Sequence, residues 1–82
     1  MQNKPYILYG SEGCHLCEMA EQICFNLLDR DNLELVDIVD SDELVELYGT
    51  SIPVFERKSD GAQLFWPFDL EAVDALINTR SC

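Results

Sequence analysis

The sequence PYILYGSEGCHLC, residues 5–17, decides the fold of the chain. Its start, from Pro5 to Tyr9, is rich in β-branched and aromatic side chains, which predicts a β-strand. The glycine-containing residues 10–13 predict a tight loop. From Cys14 to about Asp29 apolar residues recur at spacings of four, three and four, which is typical of a helix with one face on the core. The members of this stripe are Leu16, Ala20, Ile23 and Leu27, and Cys24 and Leu28 widen it.

Later residues predict two further helices and three further strands. Asn32 tolerates the left-handed backbone that ends helices, so we expect the first helix to stop there. The remaining elements are a strand at 33–39, a helix capped by Ser41 and closing at Gly49, strands at 52–56 and 62–66, and a helix capped by Asp69 with Leu70, Val73, Leu76 and Ile77 on one side. Asp60-Gly61 between the last two strands is a strong hairpin signal.

The predicted order is β-α-β-α-β-β-α in an α/β fold. A helical crossover makes the first two strands parallel, and the hairpin adds two antiparallel strands. A mixed four-stranded sheet with helices on both faces would bury the apolar side of every element. We therefore expect one domain over residues 1–82, because a chain of 82 residues cannot support two cores, and a loose tail at residues 79–82.

The charge balance restricts the partners. Sixteen acidic and five basic residues give a formal charge of −11, which repels phosphate backbones and anionic lipids. No apolar stretch approaches the roughly 18 residues of a membrane span, and Met1 to Tyr9 lacks the pattern of a signal peptide. We expect a cytoplasmic monomer that binds neither nucleic acid nor membranes.

Cys14 and Cys17 are the candidate catalytic residues. A cysteine in the first turn of a helix faces free amide groups and the positive end of the helix dipole, which favour its thiolate. Cys17 lies one turn further along, close enough to form a disulfide with Cys14. We expect Cys14 to be the nucleophile and Cys17 the resolving thiol, while a protonated His15 would modulate the thiolate as a neighbouring cation.

Other interpretations of the cysteines remain open. A Cys-x-x-Cys pair is also half of a zinc site, but a second ligand pair at suitable spacing is missing. Iron-sulfur binding by a dimer through Cys14 is a third possibility, and a binding module with an idle cysteine pair is another. We interpret Cys24 as a buried core residue and Cys82 as an exposed tail thiol.

The strand, Cys14-His15-Leu16-Cys17, the helix, and Thr50-Ser51-Ile52-Pro53 before the hairpin together resemble glutaredoxins, over about Lys4 to Thr79. The resemblance implies a minimal thioredoxin fold with sheet order two, one, three, four and a cis peptide between Ile52 and Pro53. It also implies that Pro53 packs against the cysteine pair and that the Ile52 backbone contacts the substrate. A thiol-disulfide oxidoreductase serving electron transport and cell redox homeostasis is the function that it implies.

The sequence departs from the usual glutaredoxin pattern around glutathione. His15-Leu16 replace Pro-Tyr, Ser11 replaces a lysine, and WPFD at 66–69 replaces a Gly-Gly turn. Asp69 matches the position that receives the glutathione amine, but Glu12 and Glu18 flank the cysteines and repel carboxylates. We therefore expect weak glutathione binding and no other cofactor or metal.

These departures suit a small subgroup of glutaredoxin-like proteins that share the WPFD turn, whose substrate the resemblance leaves open. The expected partner is a disulfide-containing protein or a small thiol. The aromatic residues Phe65, Trp66 and Phe68 are either core or a rim beside the cysteines.

Overall fold

The computed structural model describes residues 4–78 of the chain. In chain order the elements are β1 (Tyr6–Gly10), α1 (His15–Phe25), β2 (Leu33–Asp37), a 3₁₀ turn (Ile38–Asp40), α2 (Asp42–Tyr48), β3 (Val54–Arg57), β4 (Ala62–Phe65) and α3 (Leu70–Asn78). The predicted order of strands and helices is confirmed. The expected tail at residues 79–82, including Cys82, lies outside the described residues.

The four strands form one mixed sheet in the order β2-β1-β3-β4. Strand β1 is parallel to β2 and antiparallel to β3, and β3 is antiparallel to β4. Leu8 pairs with Phe55, and Tyr9 pairs with Val54. The minimal thioredoxin-like fold is therefore confirmed, and it places the carboxyl end of β1 beside the start of α1.

Alternation along the central strands divides the core into two layers. Leu8 and Phe55 point to the face covered by α1 and α3, where the buried cluster comprises Leu8, Ala20, Cys24, Leu33, Phe55, Phe68 and Val73. Tyr9 and Val54 point to the opposite face and pack with Ile38 and with residues of α2. The Tyr9 ring stacks on that of Tyr48, with centroids 4.7 Å apart. Helices thus cover both faces of the sheet, as predicted.

The first helix is shorter than predicted, and its expected end at Asn32 is wrong. Asn26 closes α1, and the amides of Leu27 and Leu28 both donate to the Cys24 carbonyl, at 3.0 and 2.8 Å. These bonds tighten the last turn, so residues 26–32 form turns instead of helix. Hydrophobic periodicity alone did not show this boundary because Leu27 and Leu28 still pack on the core.

Leu16 lies at the edge of the apolar stripe and not within it. Its side chain is 43% exposed, whereas Cys17, Ala20 and Cys24 are buried. The buried stripe of α1 therefore runs through Cys17, Ala20 and Cys24, which follow one another at spacings of three and four. The first turn of α1 consequently presents Leu16 to solvent and Cys17 to the protein.

The Arg57 side chain joins the hairpin to α3. Its Nε donates to Asp60 Oδ1 at 2.9 Å, and its Nη1 donates to the Leu76 carbonyl at 2.6 Å. Arg57 is only 8% exposed, so this cation is held inside the folded protein. The hydrogen bond from Arg57 lowers the pKa of Asp60 to about 2.

Candidate redox site

The loop before α1 places Cys14 at the helix start. Gly13 adopts a positive φ of 80°, which glycine reaches without steric cost, and the Cys14 amide donates to the Ser11 carbonyl at 3.2 Å. Cys14 is the N-cap residue of α1, and its Sγ accepts a hydrogen bond from the Cys17 amide at 3.2 Å. A sulfur that accepts an N-terminal amide is favoured as the thiolate in the reduced protein.

Cys14 and Cys17 are joined at disulfide distance. Their Cα atoms are 5.2 Å apart, within the range of about 4.4 to 6.8 Å for disulfides. Cys14 is half-buried, whereas Cys17 is 4% exposed. The pair thus has one sulfur that a partner can reach and one that the fold covers.

Gly10 belongs to the candidate site, and the sequence analysis did not identify it. A Cβ built on Gly10 would lie 3.1 Å from Cys17 Sγ and 3.2 Å from Cys17 Cβ, which is tighter than ordinary side-chain contacts. The end of β1 therefore lacks a side chain because Cys17 occupies that space. The sequence showed only a glycine between a strand and a turn, which is a common pattern.

The Ile52–Pro53 peptide is cis, as the resemblance implied. Pro53 is buried, and Ile52 packs against the cluster on the α2 face. Tyr9 pairs with Val54, so continuing the antiparallel register by one residue brings Pro53 opposite Gly10. Pro53 therefore lies at the same end of the sheet as Gly10, which contacts Cys17.

Asp69 is the capping residue of α3. Its Oδ1 accepts the Ala72 amide at 2.8 Å, which confirms the predicted cap. The cavities beside Asp69 are lined by residues of α3, of β4 with the turn that follows it, and by Leu27, while the cavity at Cys17 does not include Asp69. Its expected role toward a glutathione amine stays a prediction.

The WPFD turn contributes mainly to the core. Phe68 is buried and contacts the rings of Phe55 and Trp66, with centroids 6.5 and 5.2 Å away. Phe65 is 51% exposed at the end of β4. The Trp66–Pro67 peptide is cis, which the sequence analysis did not anticipate.

A cavity of about 200 Å³ opens beside Cys17. Leu8 and its β2 partner Leu35 supply its apolar wall, and Gly10 and Ser11 line it at the end of β1. The acidic residues Glu12, Glu21 and Asp37 also line it, and Asp37 Oδ1 accepts the Val39 amide at 3.1 Å. The surroundings of the covered sulfur are therefore apolar at the wall and anionic in charge.

Comparison with known proteins agrees with this geometry. Residues 6–78 match the family model described as Glutaredoxin-like domain (DUF836). The chain belongs to the glutaredoxin-like domain family. No curated protein sequence matches it.

Solved structures of other proteins share the fold of this glutaredoxin-like domain. The X-ray structure of protein XcR50 from X. campestris is 28% identical, with a TM-score of 0.81 over 93% of this chain and 99% of that chain. A solution structure of XcR50 gives a TM-score of 0.79 at the same 28% identity, over 94% and 96% of the two chains. Protein Ne2328 from Nitrosomonas europaea is also 28% identical, with a TM-score of 0.65 over 93% and 95%.

Cys24, the other cysteine among residues 4–78, is chemically different from the pair. It is fully buried in the core, and burial, with the negative charge of Glu21, raises the pKa of its thiol to about 12. The Cys24 sulfur is therefore a protonated packing group at neutral pH, as the sequence interpretation expected.

His15 is the first residue of α1 and is exposed. The nearby side chains of Glu12 and Glu18 are exposed too. Over residues 4–78 the structure has no group of three or more metal-binding side chains arranged around one point. The same residues contain no helix long and apolar enough to cross a membrane.

Proposed function

We propose that this glutaredoxin-like domain is a thiol-disulfide oxidoreductase that uses Cys14 and Cys17. The observation that carries the proposal is the disulfide at the start of α1, in which Cys14 Sγ accepts the Cys17 amide. A helix start lowers the cost of a thiolate, and the half-buried position of Cys14 leaves it open to attack a partner. The expected role of Cys17 as the resolving thiol agrees with its burial.

Each cycle transfers two electrons. The Cys14 thiolate attacks a substrate disulfide, forms a mixed disulfide and releases the first substrate sulfur as a thiolate. The Cys17 thiol loses its proton and attacks Cys14 Sγ, which closes the internal disulfide and releases the second substrate sulfur. A low-molecular-weight dithiol or thiol restores the reduced pair by the reverse exchange.

His15 and the Ile52–Pro53 segment have supporting roles in this proposal. The exposed His15 imidazolium, when protonated, would lie near the Cys14 thiolate and stabilise it. Ile52 would offer backbone groups to a substrate, while Pro53 holds its segment at the end of β1. A cytoplasmic setting, where such pairs shuttle between dithiol and disulfide, is part of the same proposal.

The test is equilibration with dithiothreitol buffers of defined potential, followed by thiol counting. We expect reversible interconversion in the parent protein and in a Cys24→Ala variant, and none in Cys14→Ser. A Cys17→Ser variant should accumulate mixed disulfides with substrates, because the resolving step is removed. A parent protein that stays fully reduced or fully oxidised across all buffers would contradict the proposal.

A further inference from the structure

The cavity beside Cys17 has a lining suited to one kind of side chain. Its volume of about 200 Å³ is below the roughly 300 to 1,000 Å³ of cavities for whole small-molecule ligands. Lysine and arginine side chains combine an apolar stem with a cationic end, and such stems pack along apolar walls. The apolar wall of Leu8 and Leu35 suits the stem, and the acidic residues Glu12, Glu21 and Asp37 suit the cationic end.

The cavity is part of the redox site, because Cys17 lines it and Cys17 Sγ is bonded to Cys14 Sγ. The loop residues Ser11 and Glu12 lead directly to Cys14 and also line the cavity. A side chain held in the cavity would therefore contact Cys17, the disulfide partner of Cys14. Leu35 is 50% exposed on strand β2, so the cavity opens toward the edge of the sheet.

The charge at the cavity differs from that of the neighbouring surface. Among residues 4–78, no lysine, arginine or histidine lines the cavity. The next depression along α1 and β2 shares Glu21 and Leu35 with it, but carries Lys4 and Arg30. A negative potential is therefore concentrated at the Cys17 end of this surface, within reach of a residue adjacent to the reacting cysteine.

From these observations we infer that the cavity selects a polypeptide disulfide that has a lysine or arginine within two residues of its reacting cysteine. The cation enters beside Cys17 while the substrate sulfur exchanges with Cys14. This inference rests on the proposed oxidoreductase function and names its substrate class. The exchange itself is the two-electron reaction described above and needs no additional reactant.

The experiment mixes pre-reduced protein with stoichiometric peptide disulfides, so that no external reductant takes part. Three extended peptides share one sequence and differ only at the residue next to the half-cystine, which is lysine, norleucine or glutamate. A fourth peptide has norleucine there and lysine six residues away. Six extended residues span about 20 Å, well beyond the screening length of about 8 Å at physiological salt. Stopped-flow measurement gives the rate constant for each peptide.

We expect the adjacent-lysine peptide to react about ten times faster than the glutamate peptide. The rate constant of the distant-lysine peptide should be close to that of the norleucine peptide. Exposed ion pairs contribute about 0.2 to 1 kcal/mol. Glu21→Gln should therefore lower the ratio of the rate constants of the adjacent-lysine and glutamate peptides about two- to threefold. Glu46→Gln, an equal charge change on α2, should leave the ratio as it is. Both replaced glutamates lie on helix surfaces, so the comparison is matched.

The outcomes separate this inference from the function on which it rests. If no peptide is reduced, the oxidoreductase proposal fails. If all four peptides react at one rate, the function stands and the cavity has no selectivity. If both lysine peptides are equally fast, or if Glu46→Gln changes the ratio as much as Glu21→Gln, the net charge of the protein accounts for the preference and the cavity assignment is overturned.

Discussion

Gly10 and Cys17 are in such close contact that a methyl group on Gly10 would lie 3.1 Å from the Cys17 sulfur. The last residue of β1 and the inner cysteine of α1 therefore share one space across the loop that carries Cys14. The position of the covered sulfur depends on the absence of a side chain on the neighbouring strand.

Gly10→Ala should disturb the redox pair and not merely the fold. Overpacking of this kind costs about 1 to 3 kcal/mol of stability, and displacement of Cys17 should slow closure of the disulfide. Stability is measured by urea unfolding, and closure by stopped-flow oxidation of the reduced protein.

The matched control is Gly61→Ala in the hairpin turn. Gly61 has a φ of 74°, and nothing lies within 4 Å of its built Cβ. That variant should lose about 1 kcal/mol or more through backbone strain and keep the closure rate of the parent. Equal closure rates in all three proteins would show that Gly10 has no influence on the cysteine pair.

Cys14 should be the most reactive thiol among residues 4–78 of the reduced protein. The amides at the helix start favour the thiolate of Cys14, whereas Cys17 and Cys24 are buried. In a Cys82→Ser background, sub-stoichiometric iodoacetamide at neutral pH should label Cys14 first, as read by peptide mass spectrometry. Preferential labelling of Cys17 would reverse the assignment of nucleophile and resolving thiol.

The reduction potential should fall between roughly −270 and −200 mV, the range from thioredoxin to glutaredoxins. The hydrogen bond to Cys14 Sγ stabilises the thiolate, and Glu12 and Glu18 oppose it. Because exposed ionic pairs contribute at most about 1 kcal/mol, Glu18→Gln should raise the potential by no more than about 20 mV. A parent value above about −150 mV would mean that the helix start and His15 outweigh the carboxylates.

Glutathione should bind weakly, with a dissociation constant of about 1 mM or higher. Glutathione has two carboxylates, and the exposed Glu12 and Glu18 beside the cysteine pair repel them. Titration of the oxidised protein followed by amide chemical shifts would measure the affinity. Ser11→Lys should strengthen binding by placing a cation at the cavity, and micromolar binding by the parent would contradict the prediction.

Alkaline pH should destabilise the oxidised protein through Cys24. Its pKa is raised from 9.0 to about 12 by burial, so below pH 9 both the folded and the unfolded state hold the proton. Between pH 9 and about 12 the unfolded chain releases that proton and the folded protein keeps it. Stability should therefore fall by up to about 1.4 kcal/mol per pH unit in this window.

The measurement is urea unfolding of the oxidised protein at a series of pH values, with Cys24→Ala as the control. The raised pKa of Tyr9 contributes in both proteins, so the difference in slope isolates Cys24. Identical slopes in the two proteins would mean that Cys24 does not titrate on unfolding.

Local signals predicted those parts of the fold that depend on local interactions. Ser41 and Asp69 cap their helices as expected, and Gly61 has the left-handed backbone that the Asp60-Gly61 signal implies. The predicted end of α1 was wrong because the true end depends on two amides that share the Cys24 carbonyl. Such sharing leaves no trace in hydrophobic periodicity.

The candidate site could be predicted only in part for a related reason. The position of Cys14 and Cys17 follows from a loop and a helix that are adjacent in sequence. The contact of Gly10 with Cys17 depends on how closely α1 packs against the end of β1, which the local sequence pattern does not show. Asp37 lines the cavity only because β2, distant in sequence, lies beside β1. The family resemblance supplied the cis Ile52–Pro53 peptide, which composition and spacing could not indicate.

Arg57 also determines how the molecule opens. Residues 70–78 contain no basic side chain, so the negative end of the α3 dipole receives its cation from the hairpin, through the bond to the Leu76 carbonyl. Separation of the last helix from the hairpin would break the bond from Arg57 to the Leu76 carbonyl. Hydrogen exchange in α3 should therefore follow that of β3, and local fraying of α3 should be replaced by a shared, cooperative opening of both elements.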